Sequence, residues 1–194
     1  MFSLRHLALS CVSLASVATG ACASAPQSPV SGLPRYGAEA ARLLDDGFSG
    51  HLFETAFVPG TAGDDSRFDD RVREAESIWR VKVATVSREG SFGDNRRYNL
   101  VFRALETLDG PPPSGAISFT VSGKDPSFHW LDRVGGAWVG REVSLMVRSY
   151  RAGSKVVTHF HCEPSSPELR ARILEVRRAQ ATEARERAAL AAKK

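Results

Sequence analysis

The feature that most constrains the fold is a change of hydrophobic period at Ser77. Upstream of it, Phe68, Val72 and Ala75 recur with the spacing of one helix face. From residue 77 to residue 162, apolar and polar residues instead alternate, which is typical of strands with one buried face. We therefore predict five short strands, over residues 77–87, 98–105, 116–121, 142–150 and 155–162.

A longer insertion, residues 122–141, separates the third and fourth predicted strands. It carries large apolar side chains that can cover one end of a curled sheet, namely Phe128, Trp130, Leu131, Val134 and Trp138. This pattern predicts a mainly β domain with flanking helices, built as a closed or nearly closed five-stranded antiparallel barrel. The alternative is an α+β fold in which a five-stranded meander packs against the helix at residues 66–77.

The first residues of the chain have the composition of an export signal. A basic start precedes an apolar segment, residues 7–19, which is too short to span a bilayer as a helix. The small residues Gly20 and Ala21 then lead directly into Cys22. This pattern resembles bacterial lipoprotein signal sequences, with Thr19 standing where Leu is usual.

The resemblance implies that residues 1–21 are removed and that Cys22 is acylated. An acylated Cys22 anchors the protein in membrane lipid, facing the periplasm or the cell surface. Residues 22–35, rich in Ala, Ser, Pro and Gly, then act as a flexible tether. The alternative is ordinary signal cleavage after Gly20, which gives a soluble secreted or periplasmic protein.

The state of the cysteines depends on which of these two alternatives, acylation of Cys22 or ordinary signal cleavage, is correct. Cys11 lies within the signal, so acylation of Cys22 leaves Cys162 as the only thiol of the mature chain. If Cys22 is not acylated, a disulfide between Cys22 and Cys162 is open to an exported protein.

Three segments make up the rest of the chain: a helical and loop-containing flank at residues 36–76, the β domain at 77–165 and a charged helix at 166–194. Ser166 is placed to cap this helix, with Pro167 at its first position. From there to the end, basic residues outnumber acidic ones by eight to four, which equals the net charge of +4 of the whole chain. We interpret this segment as a solvated helix face, although a basic tail can also approach anionic lipid, nucleic acid or acidic polymer.

The strongest candidate for chemistry is the sequence HFHC at the end of the last predicted strand. His159 and His161 share one face of a strand and can give two imidazoles to one metal, with zinc the expected ion. A third ligand is not evident, and only His129 or His51 is available as a further imidazole. The alternative is a partly exposed strand face that tolerates two histidines. Cys162 faces the other way, which favours a buried structural thiol over a nucleophile.

A second candidate is the run Phe128-His129-Trp130, which can form an aromatic recognition patch or simply plug the barrel. The plug between the third and fourth strands resembles the arrangement of the OB-fold. The segment RALETLDGPPPSGAISFTV is also similar to exported OB-like domains related to the netrin and metalloproteinase-inhibitor modules, and the resemblance covers residues 77–162.

These observations lead us to expect a membrane-anchored envelope lipoprotein that acts as a non-enzymatic binding or interaction module. The expected partners are membrane lipid, reached through Cys22, and an envelope protein or polysaccharide. Nucleic acid is not expected, because no strand face mixes basic residues with exposed aromatics. Two alternatives remain: metal binding or metal-dependent hydrolysis through His159 and His161, and protease inhibition, which the resemblance links to a free N-terminal cysteine. No cofactor is expected apart from zinc in the first alternative.

Overall fold

The computed structural model describes residues 32–49, 52, 67–90, 96–125 and 127–193. The predicted signal, Cys22, the first part of the tether and His51 lie outside the described residues. The elements in chain order are α1 (Ala38–Leu43), β1 (Gly47–Phe48), α2 (Phe68–Glu74), β2 (Ser77–Glu89), β3 (Arg97–Asp109), β4 (Ile117–Ser122), α3 (Phe128–Val134), a short 3-10 helix (Gly135–Trp138), β5 (Glu142–Ala152), β6 (Lys155–Pro164) and α4 (Pro167–Ala191).

The strands form one six-stranded sheet in the order β1-β6-β5-β2-β3-β4, which curls into a half barrel. The prediction of a mainly β fold with a C-terminal helix is confirmed. The prediction of five antiparallel strands is wrong in number and in pairing, because β1 adds a sixth strand that runs parallel to β6. Two residues, Gly47 and Phe48, are too few to show an alternating pattern, so no sequence period reveals this strand.

Register shifts in the sheet explain how it curls. The pairing of β2 with β3 shifts at three places, and each irregularity adds local twist and bending. One shift falls between Ile78 and Trp79. As neighbours on a strand, these two residues point to opposite faces of the sheet and contribute to two different apolar clusters.

The inner cluster fills the concave side of the half barrel. Alternating residues of the strands point into it, as the sequence pattern predicts for Val81, Val83 and Val143. The insertion between β4 and β5 closes one end, since α3 and the 3-10 helix contribute Phe128, Leu131 and Trp138. This part of the insertion therefore acts as the predicted plug.

The outer cluster lies on the convex side, where three helices cover β2 and β5. Its buried members are Ala40, Leu44, Phe68, Val72, Ala75, Ile78, Met146, Tyr150, Leu169, Ile173 and Val176. The helix stripe upstream of Ser77 is therefore core, as its spacing predicts. The sheet thus carries an apolar layer on each face.

Helix α4 begins as its sequence predicts. The Ser166 side chain accepts a hydrogen bond from the backbone N–H of Leu169 at 3.1 Å, and Pro167 occupies the first turn. Its distal half is tied to α2 by Arg73 Nη1, which lies 3.0 Å from Glu183 Oε2. Among the described residues, no helix combines the length and apolar character that crossing a bilayer requires.

Candidate functional site

Strand β6 presents a polar face to one side and an apolar face to the other. Phe160 and Cys162 point into the inner cluster. His159, His161 and Glu163, at alternate positions, lie on the opposite face. The structure therefore places both predicted histidines together on one face and adds a carboxylate to them.

A turn after α1 supplies two further carboxylates to this face. Asp46 has a φ of 51°, a left-handed conformation that Asp tolerates better than most residues. The turn leads Gly47 into parallel pairing with His161, and it sets Asp45 and Asp46 over the histidines. A Cβ atom on Gly47 would collide with the carboxylate of Asp45, so the close approach of this side chain requires glycine.

His159 is held by Asp46 and covered by an aromatic ring. Its Nδ1 lies 2.7 Å from Oδ2 of Asp46, while Oδ1 of the same carboxylate accepts the backbone N–H of Phe160 at 3.1 Å. The Tyr36 ring stacks on the imidazole with centroids 3.6 Å apart. Burial, with the charges of Asp46 and Asp45, raises the pKa of Tyr36 to about 12, so its hydroxyl stays protonated and donates to the carbonyl of Leu44.

His161 is the centre of a buried ionic network. Its Nδ1 lies 2.8 Å from Oδ1 of Asp45. Its Nε2 lies 3.4 Å from Oε1 of Glu163, within ionic range but without hydrogen-bond geometry. The same Oε1 lies 3.2 Å from Nη1 of Arg71, and Arg71 also donates through Nε to the carbonyl of Leu43. The side chains of Arg71 and Glu163 are only 2% and 1% exposed, so this carboxylate accepts a hydrogen bond from Arg71 and lies within ionic range of His161 inside the protein.

The charge state of His161 is set by opposing effects. Burial lowers its pKa, but the hydrogen bond to Asp45 and the neighbouring Glu163 outweigh burial and the repulsion of Arg71, and the pKa rises above its usual value. A raised pKa in the folded state means that protonated His161 stabilises the fold. This contribution is complete below the unfolded pKa of about 6.5 and is lost as the pH rises through the folded value.

We therefore expect the free energy of unfolding to fall as the pH rises above about 6.5, through titration of His161. The measurement is urea unfolding of the wild type and of His161→Gln at a series of pH values. The difference between the two proteins should shrink as the pH rises. His129→Gln, at an exposed position, is the matched control and should leave the profile unchanged. A difference that grows with pH would contradict the assignment.

Cys162 is free and fully buried in the inner cluster. Burial, followed by the charges of Glu163, Asp45 and Asp46, raises the pKa of its thiol well above the usual value. The thiol faces away from both histidines, so neither is placed to deprotonate it. Cys162 is thus a packing residue, as strand alternation predicts.

The three residues of the aromatic run on α3 differ in how far they are buried. Phe128 is fully buried, Trp130 is half-buried and stacks with Phe48, and His129 is exposed. Because Phe128 is unavailable to a ligand, the three residues do not form one recognition patch. In the described part of the chain, no group of three or more His, Cys, Asp or Glu side chains is arranged to hold a metal ion.

Sequence reasoning found the histidines but not the groups that hold them. Strand alternation could have predicted Glu163 on this face, because it follows His161 at the next alternate position of the strand. No sequence pattern predicted Asp45, Asp46 or Arg71, since they reach the site from distant segments through tertiary contacts alone.

Comparisons with protein-family models, curated proteins and solved structures find no match to this chain. The geometry of its own residues is therefore the basis for assigning a function.

Proposed function

We propose that this chain is an envelope lipoprotein, anchored through acylated Cys22, whose OB-like domain is a non-catalytic binding module. The signal-like residues 1–21 and the tether after Cys22 support export and anchoring. A partly open barrel with a helical plug between β4 and β5 supports the OB-like description.

The observation that carries the binding role is a seam between β4 and β6. Strand β4 ends the sheet, and within the described residues its outer edge pairs with no other strand. Across the seam the rings of Phe119 and Phe160 are 4.5 Å apart. A groove of about 190 Å³ runs along it, lined by residues that include Trp79, Phe119 and Thr158.

The shape of this groove favours a polypeptide over a small molecule. Its volume of about 190 Å³ is below the range of sites that enclose drug-sized ligands. The open edge of β4 offers a row of backbone donors and acceptors, to which an extended segment can add as a further strand. We propose that an extended segment of an envelope protein binds here.

The residues on the polar face of β6 support a non-catalytic protein, because they are engaged with one another. Both histidines use Nδ1 to hold carboxylates, and Arg71 is engaged by Glu163. The thiol of Cys162 is buried on the other side of the strand. These groups join α1 and α2 to the sheet, which is a structural role.

Mass spectrometry of the mature N-terminus tests the anchoring. We expect a lipid-modified Cys22 as the first residue, and we expect Cys22→Ser to lose both the modification and the membrane association. A free Cys22, or one paired with Cys162, would replace this proposal with the soluble exported alternative.

Cross-linking in intact cells tests the seam. A photoreactive amino acid at Ser118, which is exposed and lines the groove, should give a discrete protein adduct. The same residue at Ala104, exposed on β3, is the control and should not. We expect a lysine at neighbouring Thr120 to reduce the Ser118 adduct about tenfold, because edge lysines oppose strand addition. Equal adducts from both sites would contradict the proposal.

A zinc site is the second candidate. One observation favours it: carboxylates hold Nδ1 of His159 and His161, as second-shell carboxylates do for metal-bound histidines, and Nε2 of His161 makes no hydrogen bond. Elemental analysis of protein purified without chelator decides it. Stoichiometric zinc that disappears in His159→Ala would support the site, whereas metal-free protein would end it.

A further inference from the structure

The tether enters the domain at a defined place. Arg35 forms a parallel β bridge with Arg151, and the backbone N–H of Arg151 donates to the carbonyl of Pro34 at 2.8 Å. Arg151 lies near the end of β5, beside the turn that leads into β6. The proposed tether therefore joins the domain beside the β5–β6 turn.

This end of the sheet is basic. A two-residue turn at Gly153, with a φ of 64°, pairs Ala152 with Lys155 and Arg151 with Val156, so Lys155 lies at the same end of the hairpin as Arg151 but on the other face of its two strands. Arg35 completes the group through its bridge to Arg151. We call Arg35, Arg151 and Lys155 the basic corner.

The cations of the basic corner are not neutralised by the protein. In the described part of the chain, none of their side chains has an ionic or hydrogen-bond partner. Two carboxylates that contact the β5–β6 hairpin have other partners: Glu76 accepts the backbone N–H of Ser149, and Asp46 holds His159. No acidic residue occurs in the sequence from 143 to 162.

The opposite end of the sheet is organised differently. There Arg88 and Arg96 lie within ion-pair distance of Asp132, and Arg97 pairs with Glu89. These three arginines at the far end of the sheet therefore have carboxylate partners, unlike the cations of the basic corner.

The reach of the tether keeps the corner near lipid, if Cys22 is acylated as proposed above. A flexible segment of the length between Cys22 and Pro34 has a root-mean-square span of roughly 20 Å. Because the corner is the attachment point, it lies closer to the anchor than any other end of the sheet. Val156, paired with Arg151 and 46% exposed, adds an apolar side chain next to Arg151.

We infer that the basic corner binds the anionic headgroups of the membrane that holds the lipid anchor. Each lysine or arginine close to an anionic surface strengthens lipid binding by about fivefold, and the gain falls off within a Debye length. The corner therefore orients the domain with its β5–β6 turn on the membrane. This inference rests on the proposed anchoring.

Fluorescence quenching in vesicles tests the orientation. The acylated protein carries a fluorophore on Ser154→Cys, at the turn, or on Ser87→Cys, at the far end of β2; both sites are exposed and the native Cys162 is buried. A quencher is placed on the lipid headgroups. We expect the Ser154→Cys label to be quenched several-fold more than the Ser87→Cys label in vesicles containing phosphatidylglycerol. In vesicles of phosphatidylcholine alone, or in high salt, the two labels should be quenched equally.

Charge reversal provides the matched comparison. Arg35→Glu, Arg151→Glu and Lys155→Glu together should abolish the excess quenching. Arg178→Glu, Arg185→Glu and Lys193→Glu on α4 change the net charge equally at exposed positions and should preserve it. Equal quenching of the two labels on acylated protein in phosphatidylglycerol, or loss of the effect only with the α4 reversals, would overturn the inference and leave the anchoring intact. A mass spectrum of the same sample without lipid on Cys22 would overturn both.

Discussion

Replacing Glu163 with Gln should lower the free energy of unfolding by about 3–5 kcal/mol, as expected when one member of a buried ion pair is removed. The carboxylate of Glu163 faces Arg71 and His161 in a site that is closed to water. Gln fills nearly the same volume but carries no charge, so the buried Arg71 guanidinium loses its ion pair with residue 163. Chemical denaturation at neutral pH measures the loss.

The matched control is Glu142→Gln, which removes one of the two carboxylates that pair with Arg80 on the surface. Both members of that pair are more than one third exposed, so its loss should cost less than about 1 kcal/mol. Replacing Arg71 and Glu163 together with Leu should recover part of the stability that Glu163→Gln loses, because both members of the buried ion pair are then replaced by apolar side chains. Equal losses in Glu163→Gln and Glu142→Gln would contradict the buried network.

Trp138→Ala should also lower the free energy of unfolding by about 3–5 kcal/mol, for the different reason that it opens a cavity. Trp138 is almost completely buried at the plugged end of the half barrel. Its ring meets that of Phe48 edge-on with centroids 4.6 Å apart, and it also contacts Phe102 of β3. The truncation therefore removes a side chain that contacts β1 and β3 from the plugged end of the inner cluster. Urea denaturation monitored by circular dichroism gives the value.

The neighbouring residue supplies the control. Val139 is 47% exposed, so Val139→Ala should change the free energy of unfolding by no more than about 0.5 kcal/mol. A small effect of Trp138→Ala would mean that the 3-10 helix does not close the inner cluster.

The parts of the fold that the sequence predicts are those with a local cause. Alternation over many residues placed Val81 and Val83 inside the barrel, and helix spacing placed Phe68 and Val72 in a core. The cap at Ser166 needed only its own neighbours in sequence. In each case the residues that form the sequence pattern also make the core contact or the capping hydrogen bond that the pattern predicts.

The parts that escaped prediction depend on distant segments. The β1 strand exists because the turn at Asp46 aligns two residues with β6, about a hundred positions away. The sequence did not predict Asp45, Asp46 and Arg71 as partners of the histidine site for the same reason, since they lie far from it along the chain. Only Glu163, two positions after His161, lay within reach of a periodicity argument.

The parallel pairing of β1 with β6 changes where an autonomous folding unit begins. The predicted β domain starts at residue 77, but a fragment starting there would lack Phe48, Leu44 and the carboxylates of Asp45 and Asp46. It would uncover the outer cluster and leave His161 buried beside Glu163 without its Asp45 partner. The segment before Ser77 is therefore integral to the domain, and a fragment that retains the contacts of Arg35 and Pro34 with Arg151 begins no later than Pro34.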